Sequence, residues 1–277
     1  MISVSQILAC LVTLVVSGIL PLAALIVITL RHRQEGLPWA WFLGAAGFFV
    51  TQILIRTPIL NMLSGSAGFL AFAQNHLILY SLGLAFTAGL FELVGRYTAA
   101  KLLERQGLSY RKALAAGMGH GGIEAMMLVG ATYINNLILM FLIRSGAFDT
   151  IMAQAGGDVS QLLAAKDILV NTGTGMFLMA GLERLLTMIC HAGFSILVFW
   201  GVYAGCTGKM CLICLGLHTL IDSAAGVSLL AADAGGNKLS PEAAYAIIYG
   251  VLAIVAGVCV WILWDIRRRW SQEEGEF

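Results

Sequence analysis

Charge is what this sequence has least of. Asp, Glu, Lys and Arg supply 11% of its 277 residues, against about 25% in an average soluble domain. That deficit excludes a soluble globular fold. A net charge of +1 also removes any whole-molecule case for nucleic acid or an acidic partner. Strict apolar–polar alternation over segments of about 10 residues is missing, which excludes a transmembrane β-barrel. Of the four prolines, Pro21 and Pro58 fall inside apolar runs, where they predict kinks within helices rather than breaks between domains. No basic segment precedes the first apolar run. Arg31, His32 and Arg33 follow it instead, so this run reads as a retained span and not a cleaved signal peptide. Six cysteines include one CxxC pair, Cys211 and Cys214. Without a second pair they read as small apolar side chains.

What remains is hydrocarbon. Hydrophobic residues make up 59% of the chain, with 32 glycines, and apolar runs recur that are each long enough to cross a bilayer as a helix. The fold class that follows is all-α: a polytopic seven-transmembrane-helix bundle, one membrane domain over residues 1–277. The spans fall at about 5–30, 39–60, 70–95, 113–143, 173–204, 208–230 and 241–264. Basic residues collect after the first span (Arg31, Arg33), between the third and fourth (Arg96, Lys101, Arg105, Arg111, Lys112), after the fifth (Lys209) and after the seventh (Arg267, Arg268, Arg269). The alternate loops carry Asp149, Asp158, Asp167 and Asp233 against few bases. The positive-inside rule then puts the N-terminus outside and the C-terminus inside. The one long connection is the outer loop 144–172, where Ser160 is placed to cap a short helix through about Val170.

Few ionisable groups lie inside the spans, and each is costly there without a partner or a wet cavity. The third span ends with Glu92 and Arg96 one helical turn apart, which also suits a snorkelling ion pair at a helix end. The fourth sets His120 and Glu124 on one face within Gly117-Met118-Gly119-His120-Gly121-Gly122-Ile123-Glu124-Ala125, with Asn135 nearly in line beyond them. The fifth carries Glu183 and a polar stripe of Arg184, Thr187, His191 and Ser195. A serine four residues from a histidine suggests a hydrolase, but no nucleophile elbow surrounds it, and a small hydroxyl in a membrane helix usually bonds nearby backbone. The sixth has His218 and Asp222, again one turn apart, with Asp222 able to orient the imidazole. Counting about 1.5 Å per residue from the cytoplasmic ends, His120 and His218 lie roughly 10–15 Å deep and Glu124, His191 and Asp222 roughly 15–20 Å deep. Four helices therefore bring these groups to the inner half of the membrane. The glycines would let the third, fifth and sixth spans approach the fourth closely.

Imidazoles and carboxylates are the ligand set of a catalytic zinc site. His120, His191 and His218 are the candidate metal ligands. Glu124 is then the general base, or a ligand with Glu92 as the base. Arg96, Asp222 and Asn135 are the supporting groups. A metal-free version is equally coherent, with a buried glutamate activating water and histidines holding the oxyanion. The soluble signature HExxH is absent, so a metal site rests on convergence in space.

Four segments, FELVGR, GMGHGGIEA, ERLLTMICHAGFS and HTLID, occur in this order. Together they resemble the YhfC family of intramembrane metalloproteases, relatives of the type II CAAX prenyl proteases and the PrsW proteases. The resemblance implies a helical peptidase of a bacterial cytoplasmic membrane. Residue by residue, Glu92 answers to the relatives' glutamate motif and His191 and His218 to their later histidines, while His120 and Glu124 belong to the glycine-rich patch. Where the relatives double the glutamate, this chain has Glu92 followed by Leu93, so the base stays divided between Glu92 and Glu124. The expected partners are the lipid bilayer and a membrane-anchored peptide or protein substrate, with no nucleic acid. Two rival classes are an ion- or proton-coupled transporter and a non-catalytic immunity or binding protein on the same fold.

Overall fold

A computed structural model describes residues 1–154, 159–233 and 239–273. Among the described residues every regular element is helical. Ten helices follow one another: α1 (Val4–Arg31), α2 (Leu37–Ser64), α3 (Ala67–Asn75), α4 (Leu77–Glu104), α5 (Tyr110–Ser145), α6 (Ala147–Gln154), α7 (Ser160–Asn171), α8 (Thr174–Tyr203), α9 (Thr207–Ala232) and α10 (Pro241–Glu273). Seven of them, α1, α2, α4, α5, α8, α9 and α10, are long and apolar enough to span a membrane. Their outer faces carry large exposed apolar side chains such as Ile138, Phe141, Leu212 and Ile254, the surface that lipid requires rather than water.

Some boundaries differ from the sequence expectation. The third span begins at Leu77 because residues 67–75 form their own helix and the backbone turns at His76. Helix α7 does form, but Ser160 does not cap it: Ser160 is the first helical residue, and the capping position falls to Val159, which has no side-chain oxygen to offer. Asp158 and positions 234–238 of the last outer connection lie outside the described residues.

Three π-helical segments interrupt the spans, at Val15–Ile19, Phe49–Arg56 and Ala125–Gly130. The first two run up to Pro21 and Pro58, which have no N–H for the carbonyls of Ser17 and Leu54 four residues back, so the ladder widens there. The third follows directly on Glu124.

The chain divides into two compact units, Met1–Ala24 with Glu124–Leu185, and Leu25–Ile123 with Leu186–Phe277. In the first, Ile7, Cys10, Tyr133, Leu137, Met140 and Phe177 form an apolar core. Buried polar groups tie its helices together: Gln6 donates to the carbonyls of Leu169 and Thr172 at 3.2 and 2.7 Å, and Thr13 to that of Phe177 at 2.6 Å. In the second, helices cross at small residues. A Cβ on Gly47 would lie 3.0 Å from the Gly95 carbonyl oxygen, which shows how closely α2 passes α4. At the α1–α2 turn Glu35 accepts from His32 at 2.8 Å and from Arg111 at 2.9 Å. These bonds, His32 first, hold its carboxyl below the usual glutamate range.

Candidate functional site

The second unit gathers Glu92, Arg96, His120, His191 and His218, every one buried, from α4, α5, α8 and α9. One carboxylate oxygen is the centre of this group. Oε2 of Glu92 lies 2.8 Å from Nε2 of His218, 3.1 Å from Nε2 of His120 and 3.0 Å from Nη2 of Arg96, with Nδ1 of His191 at 3.8 Å. The other oxygen, Oε1, accepts from Nε2 of Gln52 at 2.9 Å. A carboxylate taken out of water needs each lone pair answered, and here both oxygens are.

Local sequence accounts for the convergence. Glu92 and Arg96 sit four apart on α4, so their heads meet on one face. The glycine run removes the side chains that would hold α5 away from its neighbours: a Cβ on Gly117 would fall 2.7 Å from Cα of Ala192, and one on Gly121 3.0 Å from Cβ of His191. That brings the fifth span, α8, close as expected. On its other side Gly119 meets the backbone of Trp41 in α2, a neighbour the sequence did not single out. The rings of His120 and His191 are stacked at 5.3 Å between centroids, and Phe48 and Phe194 close over His120 and His218 at 5.4 and 5.5 Å.

Hydrogen-bond roles follow from donor chemistry. A guanidinium has no acceptor, so in the 2.5 Å contact between Nη2 of Arg96 and Nδ1 of His191 the imidazole nitrogen accepts. Toward the carboxylate of Glu92, Nε2 of His120 is the donor, and its Nδ1 is buried with no hydrogen-bond partner among the described residues. Both ring nitrogens of His218 face carboxylates, since Nδ1 lies 3.3 Å from Oδ2 of the partly exposed Asp222.

Gln52 and Arg56 are site residues that the sequence reading missed. Nε2 of Gln52 also donates to the Ala88 carbonyl at 3.1 Å, and Nη1 of Arg56 donates to Oε1 of Gln52 at 3.3 Å. Arg56 is itself held by the Leu84 carbonyl at 2.8 Å. The signal was present as a glutamine and an arginine one turn apart inside an apolar span.

Glu124 is buried in the first unit, where its Oε1 accepts from Nη1 of Arg184 at 2.9 Å. Arg184 also bonds Glu183. One fork thus serves two carboxylates. Arg184→Lys keeps the charge and loses the fork; melting in detergent is expected to report about 1.5–3 kcal/mol, the worth of one charged hydrogen bond. Asn135, the other sequence candidate in this unit, is exposed on α5.

Ligating atoms of Glu92, His120 and His191 lie within 4.8 Å of one another, and His218 joins through the shared carboxylate oxygen. Imidazoles with a carboxylate, dry and convergent, fit a borderline divalent cation. Nδ1 of His120, buried with no hydrogen-bond partner among the described residues, has a lone pair suited to such a cation.

Residues 18–236 match the family described as YhfC intramembrane metalloprotease. A similar curated protein is the "Uncharacterized membrane protein YhfC" of Bacillus subtilis (strain 168), 30% identical over 163 residues. That stretch is 58% of this chain and 62% of the relative, so less than two thirds of the relative's length is covered. No solved structure matches the chain.

Proposed function

The chain belongs to the YhfC intramembrane metalloprotease family, and on that premise we propose that it hydrolyses a peptide bond in a membrane-anchored or lipid-modified substrate. The reaction takes place in the cytoplasmic half of a bacterial cell membrane that the chain crosses with its N-terminus outside and its C-terminus inside. The observation that carries this reading is the buried oxygen of Glu92 set among three imidazoles and a guanidinium.

His120, His191 and His218 are the ligands assigned to a Zn²⁺ ion. When bound, the ion supplies Lewis acidity toward the scissile carbonyl and a water far more acidic than bulk water. The chain's own groups do the rest. Glu92 takes the proton of the attacking water and returns it to the leaving amine. Arg96 and Gln52 hold its two oxygens in place, and Asp222 orients His218 from behind. Glu124 is the second choice of base, because the three assigned imidazoles gather about the Oε2 of Glu92, whereas Glu124 pairs with Arg184. A substrate helix hides its carbonyls in its own hydrogen bonds, so the scissile segment must unwind before it reaches Glu92.

The test is to purify the protein, measure bound metal, and follow cleavage of a fluorogenic transmembrane peptide in liposomes. Stoichiometric Zn²⁺ that His191→Ala loses, together with cleavage that a chelator stops, is expected. Ion flux dependent on the same histidines with no cleavage would overturn the proposal in favour of a transporter.

Gln52 gives a finer expectation. Gln52→Leu keeps the volume but withdraws both Nε2 bonds, and outer partners of this kind are worth roughly 10- to 100-fold in metal affinity. Chelator competition should show zinc released at correspondingly lower chelator concentration, with helical content unchanged by circular dichroism.

A further inference from the structure

Away from the glutamate–histidine cluster, α8, α9 and α10 line a cleft of about 320 Å³. Its walls change character along its length. At one end stand Lys209, Asp265 and Arg269; beyond them run Ile213, Leu217, Val258 and Ile262, with Trp200 among the lining residues. Helix α9 enters this cleft at its first turn and α10 at its last stretch, so the charged residues of both lie at the same end. From Arg269 to Val258 the apolar track is about 16 Å long, eleven residues at 1.5 Å each.

Three features decide what fits. A helix with its side chains is about 10–12 Å across, too wide for so small a cleft, whereas a single acyl chain is narrow, apolar and long. The charged end is basic: Asp265 is engaged by Nε of Arg269 at 2.7 Å, which leaves the terminal amino groups of that fork and the ammonium of Lys209 for an anion. Arg267 and Arg268 adjoin it in sequence, and Arg268 lies over the Trp264 ring at 4.7 Å. Trp261 and Trp264 are both more than half exposed, as expected of aromatic anchors at the headgroup level.

We propose that this cleft binds one anionic phospholipid, its phosphate held by Lys209 and Arg269 and one acyl chain laid along Ile213, Leu217, Val258 and Ile262. A basic residue near an anionic lipid is worth roughly fivefold in affinity. Two such residues, offset in part by Asp265, predict a preference of about tenfold for phosphatidylglycerol over phosphatidylcholine.

Native mass spectrometry of the detergent-purified full chain, titrated with each lipid, measures this directly. The expected result is the tenfold preference in the unaltered protein, its loss in Lys209→Gln/Arg269→Gln, and its persistence in Arg105→Gln, whose basic group lies on another connection. Ile213→Trp, which fills the track, is expected to weaken both lipids. A second measurement needs no variant: the preference of the unaltered protein should fall as salt rises. Equal retention of the two lipids, a preference indifferent to salt, or equal loss in Arg105→Gln would overturn the proposal.

Discussion

Glu92→Gln is expected to reduce peptide cleavage by roughly 100- to 10,000-fold, the range for losing a general base, and to weaken bound metal at the same time. The substitution keeps shape and volume but replaces an acceptor by a donor at one of two positions. If the amide nitrogen takes the place of Oε2, it meets Nη2 of Arg96 and two imidazole N–H groups, all donors. If it takes the place of Oε1, it meets Nε2 of Gln52, again a donor. Neither rotamer satisfies the site, and Arg96 is left buried without its carboxylate, at a cost on the order of 3–5 kcal/mol. Glu124→Gln is the comparison. With the base assigned to Glu92 and the ligands to the three histidines, that variant is expected to keep its zinc, while its weakened bond to Arg184 lowers stability. Parallel zinc analysis and cleavage assays on the two variants separate the candidate bases. The reverse pattern, zinc and cleavage lost with Glu124 and kept with Glu92, would reassign the chemistry to Glu124.

The contrast between those residues shows what a sequence can and cannot convey in this fold. Helix number and approximate extent were legible, since crossing hydrocarbon demands long apolar runs that nothing else requires. The convergence of His120, His191 and His218 was also legible, because depth follows from counting residues and ionisable groups in hydrocarbon are rare; Glu92 stood out by its spacing from Arg96 and by the resemblance rather than by depth. Rotation about the helix axis was not. Arg184 looked like the start of a stripe through His191 and Ser195, yet its guanidinium bonds Glu124 and Glu183. Asn135 appeared in line with Glu124, but the π segment Ala125–Gly130 lies between them and shifts the angular register. Gln52 and Arg56 lie in the π segment Phe49–Arg56. An ideal helical wheel misplaces residues around such a segment, and an uncharged glutamine gives no warning of a buried carboxylate beside it.

Gly119→Ala carries the other large effect, through packing alone. A Cβ there would lie 1.9 Å from the carbonyl oxygen of Trp41 and 2.8 Å from its carbonyl carbon. The obstacle is backbone, so no rotamer change relieves it, and α2 and α5 must separate by more than an ångström. Loss of such a crossing belongs among the rare substitutions costing on the order of 4–5 kcal/mol or more. Gly216 supplies the control: it has nothing within 4 Å of the added atom, so Gly216→Ala is expected to be neutral or to stabilise α9 by about 0.5–1 kcal/mol. Thermal melting in detergent distinguishes the two, and a Gly119→Ala protein melting like the parent would refute the close crossing. The effect also reaches the site. Helix α2 brings Gln52 to Glu92, so moving it away from α5 strains that bond as well. A moderate variant that still folds, such as Gly47→Ala with its carbonyl contact at 3.0 Å, is therefore expected to reproduce part of the zinc loss of Gln52→Leu while every ligand remains in place.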